Sequence, residues 1–229
     1  MKLAIMQPYF MPYIGYWQLI NAVDTFVIFD DVNFINKGYI NRNSILVNNQ
    51  PYRFTLELKH ASQNKFINQT DIGENSTKIL KTVEQSYKKA SQFKAVFPLL
   101  ENIFLNTEKN LAKYIGYSIV EISKYLDIST SFVYSSKLSK DNDLKGQDKI
   151  IAICKALEAS DYINAIGGVD LYDKSLFKKQ NITLSFIKNI PTAYPQFNHD
   201  FIPNLSIIDV LMFNHKNMIT EQLNSYELI

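Results

Sequence analysis

The chain begins with the stretch Leu3-Ala-Ile-Met-Gln-Pro-Tyr-Phe-Met-Pro-Tyr-Ile-Gly-Tyr16, in which an apolar run is followed by two prolines. The run is long enough for a buried strand, and the prolines restrict the backbone after it to a rigid, extended loop. Residues 13–22 are apolar on most sides without a period of two, which predicts a buried helix. Thr25-Phe-Val-Ile-Phe29 is typical of a second buried strand. Strand, helix and strand in this order predict a crossover between parallel strands.

Polar residues follow both predicted strands directly. Gln7 comes after the first strand, and the pair Asp30-Asp31 closes the second. Ligands of parallel sheets bind beyond the carboxyl ends of the strands, so these residues are predicted to share one rim. Because neighbouring residues on a strand point to opposite faces, only one of the two carboxylates is expected to face the site.

Residues 32–43 interleave polar with aromatic side chains, a composition that favours a binding loop over a strand or helix. The segment Asn41-Arg42-Asn43 presents a guanidinium group between two amides, a set that can grip a phosphate or a carboxylate. The alternative is a loop whose Asn side chains satisfy its own backbone. Beside a rim with two carboxylates, we favour the binding interpretation.

The rest of the chain predicts an α/β fold with a mainly parallel, Rossmann-like sheet. Residues 52–58 alternate apolar and polar side chains and, with residues 45–47, predict an antiparallel β-hairpin. Residues 76–126 carry three amphipathic helical patterns in succession, which indicate a helical insertion. Further strands are predicted at 130–134, 161–166 and 182–187. Because no linker rich in Gly, Ser or Pro interrupts the chain, we expect a single domain over residues 1–229.

Gly167-Gly168 follows one of these strands and precedes a predicted helix. A backbone without Cβ atoms can approach a phosphate or a sugar closely at such a position. The pair belongs to no GxGxxG or Walker pattern, so a simple turn is an equally good interpretation.

The composition excludes several classes of function. A net charge of +2 argues against a nucleic-acid partner. Cys154 is alone, so the sequence predicts neither an intrachain disulfide nor a cysteine-rich zinc site. His199 and His215 lack metal-ligand spacing, and no metal is predicted. Without a signal peptide or an apolar run near the roughly 20 residues that span a bilayer, we expect a cytoplasmic protein that does not insert into membranes.

Several segments together resemble the WbqC-like protein family, and they reach from one end of the chain to the other. The N-terminal blocks are Gln7 to Ile20, Asp24, Val27 to Val32 and Ile40 to Asn43. The later blocks are Tyr162-Ile-Asn, Gly167-Gly168, Leu171-Tyr-Asp173, Tyr194-Pro-Gln196 and Phe201 to Asp209. The chain departs from the family pattern at Met6, where many relatives have His, and at Asn33, where Gln is common.

The resemblance implies a transferase of surface-polysaccharide (O-antigen or capsule) biosynthesis that N-acylates a nucleotide-linked amino sugar. The transferred group would be glycyl or another acyl group, from acyl-CoA, a carrier protein or an aminoacyl donor. In that reaction Asp31 would act as the base that keeps the amine neutral, and Asp30 would orient it or anchor sugar hydroxyls. The predicted substrate contacts are Arg42 for the diphosphate, Gln7, Asn41 and Asn43 for sugar or nucleotide, Tyr9 or Tyr13 for ring stacking, and Gly167, Gly168 and Gln196.

Two alternatives stay open, as does the oligomeric state, which could be a homo-oligomer. The opening strand, loop and helix also resemble the HxGH region of nucleotidylyl transferases and adenylate-forming enzymes, although Tyr13 and Tyr16 occupy both histidine positions. A non-catalytic sugar-nucleotide-binding protein would carry the same rim without turnover. Formation of a product would distinguish the acyltransferase and the HxGH-like enzyme from the non-catalytic binding protein.

Overall fold

The computed structural model describes residues 1–197 and 200–229, so His199 lies outside the described residues. The strands are β1 Lys2–Met6, β2 Thr25–Ile28, β3 Arg42–Val47, β4 Gln50–Thr55, β5 Leu58–Lys59, β6 Asp71–Ile72, β7 Ser131–Tyr134, β8 Asp161–Ala165, β9 Thr183–Asn189 and β10 Tyr226–Leu228. The α-helices are α1 Ile14–Asn21, α2 Ser76–Tyr87, α3 Phe93–Phe104, α4 Leu111–Tyr125, α5 Gly146–Ala156, α6 Lys174–Lys178, α7 Ile207–Phe213 and α8 Lys216–Leu223. None of the helices in these two ranges has the length and apolar character needed to traverse a bilayer.

The main sheet has the strand order β10-β9-β8-β1-β2-β7 within the described residues. All neighbours are parallel except β10, which runs antiparallel to β9. β2 and β7, which come first in the chain, lie on one side of β1. β8, β9 and β10, which come later, lie on the other side. This is the strand order of a doubly wound α/β fold, and the order reverses between β1 and β8, the position at which sheets of this kind generally bind ligands. The predicted α/β, mainly parallel, Rossmann-like class is confirmed.

The two faces of the sheet pack against different helices. Ala4 and Phe26 belong to the core that contains the side chains of α1 and α2 to α4. Leu3 and Ile5 belong to a smaller core with α5 and α6. Alternate residues of a strand therefore pack into opposite cores, as the period of two in a pleated strand requires.

The predicted helical insertion is present as α2, α3 and α4, which follow one another without an intervening strand. Their inner faces are apolar, with Val83, Leu100 and Ile119 fully buried. The helices cover the α1 side of the sheet and form one wall of a groove at its rim. The helical pattern was enough to locate them because each buries only one stripe.

The hairpin is confirmed, but it begins earlier than predicted. Asn48 and Asn49 have φ of +48° and +63°, the left-handed pair of a two-residue hairpin turn. This turn sets the register from Val47 opposite Gln50 to Arg42 opposite Thr55. Arg42 and Asn43 consequently lie in β3, and the prediction that residues 32–43 form a loop throughout is wrong for these two.

Candidate functional site at the carboxyl rim of the sheet

Asp30 and Asp31 follow β2 at the rim and diverge to opposite faces of the sheet. Both are more than nine-tenths buried. Asp30 accepts hydrogen bonds from the backbone N–H of Ser136 at 2.9 Å, from its Oγ at 2.6 Å and from Asn68 at 3.2 Å. It lies in the floor of an open groove of about 1260 Å³ beside α4. Its hydrogen-bond partners are therefore neutral groups.

Asp31 is held by two buried lysines on the other face. Its Oδ2 lies 2.8 Å from Nζ of Lys140 and 3.1 Å from Nζ of Lys149, whose side chains are 1% and 7% exposed. Lys149 also donates to the backbone carbonyl of Asp31 at 2.9 Å, and Lys140 donates to that of Ser135. Oδ1 of Asp31 has no hydrogen-bond partner among the described residues. The cluster thus combines two cations, one anion and one unused acceptor.

The lysines determine the protonation of this carboxyl group. Burial raises the pKa of Asp31, but the hydrogen bond of Lys140, the nearby Ser135 hydroxyl, and the hydrogen bond and charge of Lys149 outweigh it, so the pKa lies below its ordinary value. Asp31 is therefore ionised at neutral pH and a weak proton acceptor. A low pKa is a disadvantage for the predicted role of general base.

Asp31 and Lys149 line a cleft that we call the α5 cleft, with a volume of about 480 Å³. Its other walls are Phe29, Val32, Asn33 and Phe66, residues 142 and 144–147, Ile150, and Leu171-Tyr172. The cleft reaches from the end of β2 to the segment after β8, the two strands that flank β1 in the sheet. Its volume suits a small polar ligand.

The N-terminus of α5 opens into this cleft. Lys145 precedes the helix, no side chain in residues 1–197 or 200–229 caps it, and Gly146 has φ of +53°. The first N–H groups of a helix have no acceptor within it, and the helix dipole makes this end positive. A Cβ atom on Gly146 would have no heavy atom within 4 Å among the described residues. The backbone is therefore open to a ligand here.

The Pro-rich loop carries a group of tyrosines next to Gln7. Tyr16 donates to the Gln7 carbonyl at 2.9 Å, and the Tyr9 ring lies 5.5 Å from that of Tyr16 and 6.2 Å from that of Tyr39. Burial is the main cause of the raised pKa of Tyr9 and of Tyr13. These hydroxyls are consequently neutral donors. Tyr39, which is 60% exposed, extends the predicted aromatic pair.

The side chains of residues 41–43 serve the backbone. Asn41 donates to the Leu56 carbonyl at 2.7 Å, and Asn43 donates to that of Met11 at 2.8 Å. Nε of Arg42 donates to the Gly38 carbonyl at 2.7 Å. Arg42 and its neighbours are not among the residues lining the α5 cleft in the described part of the chain. The interpretation in which Asn side chains satisfy the local backbone is the one these contacts favour.

Gln196 is fully buried. Its Nε2 donates to Asp209 at 2.6 Å, and its Oε1 accepts from the backbone N–H of Ile202 at 2.7 Å. Both ends of the amide are used inside the core. The prediction that Gln196 contacts substrate is therefore at odds with its position.

Gly167 and Gly168 lie in a 3₁₀-helix, Ile166–Leu171, immediately after β8. A Cβ on Gly168 would stand 2.5 Å from the Asn164 amide nitrogen, so this side chain closes the space beside Gly168. Gly167 has open space instead, since a Cβ placed on it would have no heavy atom of the described residues within 4 Å. Of the pair, only Gly167 is free for close approach to a ligand.

Sequence reasoning missed Lys140, Lys149 and the start of α5. Lys149 stands four residues before Ile153, on the inner face of the helix, where a cation needs a partner. The position of Lys149 on the inner face of the helix was therefore the sequence signal for a buried ion pair. Its partner, 118 residues away, could be identified only in three dimensions.

The depressed pKa of Asp31 predicts how its contribution to stability depends on pH. Because the folded-state pKa is below the unfolded-state value, the contribution is complete above about pH 4 and is lost as pH falls through the folded pKa. The destabilisation caused by Asp31→Asn is therefore expected to shrink as pH falls below about 4. Urea unfolding of both proteins between about pH 7 and pH 3 measures this, and a difference that stayed constant would contradict it.

Comparison with known proteins gives two findings. The sequence model of the WbqC-like protein family matches residues 7–221. An uncharacterized protein of Mycobacterium tuberculosis is 26% identical over 220 residues, which cover 93% of each chain. No solved structure matches this chain.

Proposed function

The chain belongs to the WbqC-like protein family, and on that premise we propose that it is a transferase that acylates the amine of a nucleotide-linked amino sugar. The reaction would belong to the biosynthesis of a surface polysaccharide such as O-antigen or capsule, and would take place in the cytoplasm. The donor would be acyl-CoA, a carrier protein or an aminoacyl donor. The α5 cleft is the proposed acceptor site.

One observation carries the proposal, the ionised carboxylate of Asp31 that lines the α5 cleft and is held by two lysines. This carboxylate lies beside the reversal point of a doubly wound sheet, where such folds bind nucleotides. An amino group is the ligand group that an ionised carboxylate would favour, and phosphates suit Lys145 and Lys149, which line the same cleft. An amino sugar linked to a nucleotide carries both groups in one molecule.

The proposed step is the formation of an amide bond. The sugar amine attacks the acyl carbonyl carbon, a C–N bond forms, and the bond from carbonyl carbon to the leaving atom of the donor breaks. The proton lost by the amine balances the charge on the leaving group, a thiol in the case of a thioester. Asp31 orients the amine through a hydrogen bond and lowers the cost of placing it in the cleft.

The HxGH-like alternative needs space for a triphosphate at the start of α1. A Cβ on Gly15 would lie 2.4 Å from the Tyr13 ring, so this ring covers the first turn of the helix. That arrangement favours the acyltransferase over an adenylate-forming enzyme. The non-catalytic alternative has the same α5 cleft and is separated from the transferase by product formation.

A nucleotide-linked sugar with a free amine is expected to bind about tenfold or more tightly than its N-acetylated counterpart at neutral pH. A hydrogen bond to a charged group contributes about 1.5–3 kcal/mol, which corresponds to this ratio. Isothermal titration calorimetry of the two ligands measures it. Equal affinities would contradict the assignment of the amine to Asp31.

Turnover is tested separately by mass spectrometry of the sugar. The wild-type protein, incubated with the amino-sugar nucleotide and a panel of acyl-CoA, carrier-protein and aminoacyl donors, is expected to yield a sugar heavier by one acyl group. Tight binding of the amine without any product would contradict the transferase hypothesis and support a non-catalytic sugar-nucleotide-binding protein.

A further inference from the structure

We propose that the open groove beside α4, which we call the α4 groove, is a second ligand site and binds an acidic oligosaccharide. The groove has a volume of about 1260 Å³ and lies over Asp30, on the other side of the sheet from Asp31 and the α5 cleft. The proposal goes beyond the transferase function, because that reaction makes no use of this groove. Its test needs neither an acyl donor nor a product.

The α4 groove is elongated and follows one side of a helix. Lys113, Tyr117 and Lys124 line it at intervals of about one or two helical turns. With a rise of 1.5 Å per residue, the helix covers about 16 Å between the first and the last of them. A second open groove of about 560 Å³ shares Asn106, Thr107 and Tyr117 with the α4 groove, so the surface continues past this tyrosine. An extended ligand matches this shape better than a compact one.

The lining of the α4 groove is almost entirely polar. Within the described residues, Val120 is its one aliphatic residue, among carboxylates, amides, hydroxyls and ammonium groups. Peptides and lipids gain much of their affinity from burying apolar groups, for which this lining offers little area. The hydroxyls of a saccharide both donate and accept hydrogen bonds. They therefore match a lining in which the acceptors Asp30 and Glu108 lie among donors.

The Tyr134 hydroxyl is an unused donor in the α4 groove. A Cβ atom on Gly116 would collide with it, so a glycine in the middle of α4 makes room for this hydroxyl. It has no hydrogen-bond partner among the described residues, and it is not one of their solvent-inaccessible unpaired atoms. Burial, together with the charges of Asp30 and Glu108, raises the pKa of Tyr134 to about 12. The hydroxyl is therefore protonated at neutral pH and available to a sugar oxygen.

Tyr117 supplies an aromatic surface where the two grooves meet. Its ring is half-buried, and its hydroxyl accepts a hydrogen bond from Asn102 at 2.8 Å, which fixes the orientation of the side chain. A tyrosine combines an apolar ring with a polar tip. The ring can therefore pack against the C–H face of a sugar while the hydroxyl keeps its own partner.

The exposed charges of the α4 groove are mainly positive, which favours an acidic saccharide. Lys109, Lys113 and Lys137 line the groove, are exposed and form no ion pair within 4 Å in the described part of the chain. Asp30 is buried and Glu108 is half-buried, so these carboxylates lie deeper than the lysines. Carboxylate groups on the ligand would pair with the ammonium groups, while its hydroxyls would reach the carboxylates.

Isothermal titration calorimetry with three defined probes tests the class of ligand. Trigalacturonic acid, an acidic oligosaccharide, is expected to bind at least about fivefold more tightly than maltotriose, which is neutral, and than triglutamate, a peptide of the same net charge. Equal affinity for triglutamate would show attraction by charge alone and overturn the proposal. Equal affinity for maltotriose, or no binding of trigalacturonic acid at millimolar concentration, would also overturn it.

Tyr134→Phe tests whether the α4 groove is the binding site. The variant keeps the ring and loses a hydroxyl without a partner in the described residues, so it should fold. We expect it to weaken trigalacturonic acid binding about two- to tenfold, the effect of one hydrogen bond. Tyr125→Phe is the matched control, because Tyr125 is also half-buried but lines neither groove. Equal affinities of the two variants would contradict the assignment of the site.

Lys113→Gln tests the contribution of the cations. It is expected to weaken trigalacturonic acid binding about two- to fivefold, to reduce the dependence of binding on salt, and to leave maltotriose affinity unchanged. Lys94→Gln is the control, because Lys94 is an exposed lysine of α3 that does not line the groove. The same loss of trigalacturonic acid affinity in both variants would refute an electrostatic role of the groove.

Discussion

Replacement of Asp209 by alanine is expected to lower the free energy of unfolding by at least about 3 kcal/mol, since three buried donors lose their acceptor and each costs about 1–3 kcal/mol. Asp209 is fully buried. It accepts from Tyr194 at 2.6 Å, from Gln196 at 2.6 Å and from Tyr87 at 2.7 Å. The variant would leave these three donors without an acceptor in the core.

The network joins distant parts of the chain, which explains the size of the effect. Tyr87 ends α2, Asp209 lies in α7, and the Tyr87 hydroxyl also accepts from the backbone N–H of Leu46 in β3 at 2.8 Å. The carboxylate therefore ties the helical insertion and the hairpin to the C-terminal helices. Polar networks of this kind are stable only when every member is satisfied.

Urea unfolding at neutral pH measures the change, with Asp143→Ala as control. Asp143 is exposed, and its removal is expected to alter stability by less than about 0.5 kcal/mol. Tyr194→Phe, which removes one donor and leaves the carboxylate two others, should fall between these values. A loss below about 1 kcal/mol for Asp209→Ala would show that the network does not stabilise the fold.

Asp31→Asn is expected to cost about 3–5 kcal/mol of stability and to abolish turnover, because it leaves two buried ammonium groups without their counter-charge. Lys140 and Lys149 both contact Oδ2 of Asp31, and an amide can neutralise neither. The loss of turnover follows from the loss of the group that orients the amine. Near-normal activity in a folded variant would remove Asp31 from the reaction.

The exposed ion pair of Lys59 with Glu74 is the matched control for stability. Its atoms lie 3.0 Å apart, but the side chains are 50% and 79% exposed, so Glu74→Gln should change the free energy of unfolding far less than Asp31→Asn does. The double variant Asp31→Asn/Lys140→Met should recover part of the loss, since one unpaired charge is removed with its partner. Equal effects of Asp31→Asn and Glu74→Gln would contradict the buried cluster.

The role of Asp31 connects stability with the proposed chemistry. A carboxylate held ionised by two lysines is a weak base, but it is positioned firmly and keeps its charge over the physiological range. Burying the three charged groups of Asp31, Lys140 and Lys149 costs desolvation free energy, which their ion pairs offset.

Much of the fold could be predicted from local patterns. The apolar runs of β1 and β2, separated by a helix, were enough to predict parallel strands and a polar rim at Asp31. The three helical stripes of residues 76–126 predicted the insertion, because each stripe records which side of a helix is buried. In both cases the information lies within a short window of the chain.

The roles of the polar side chains could not be obtained in this way. Asn43 and Gln196 suit a binding site by composition, yet both are used by backbone groups and a carboxylate inside the folded chain. Whether an amide binds a ligand or satisfies the core depends on which acceptors and donors surround it. That depends on residues far away in the sequence.

The sequence by itself determined the α/β class, the parallel strand pair and the presence of carboxylates at its rim, since hydrophobic periodicity is a local property. Tertiary structure alone decided that β8 pairs with β1, that the start of α5 faces Asp31, and that two lysines hold this carboxylate. The physical reason is that strand order and charge pairing minimise the free energy of the whole chain, in which a buried charge is stable only beside its partner.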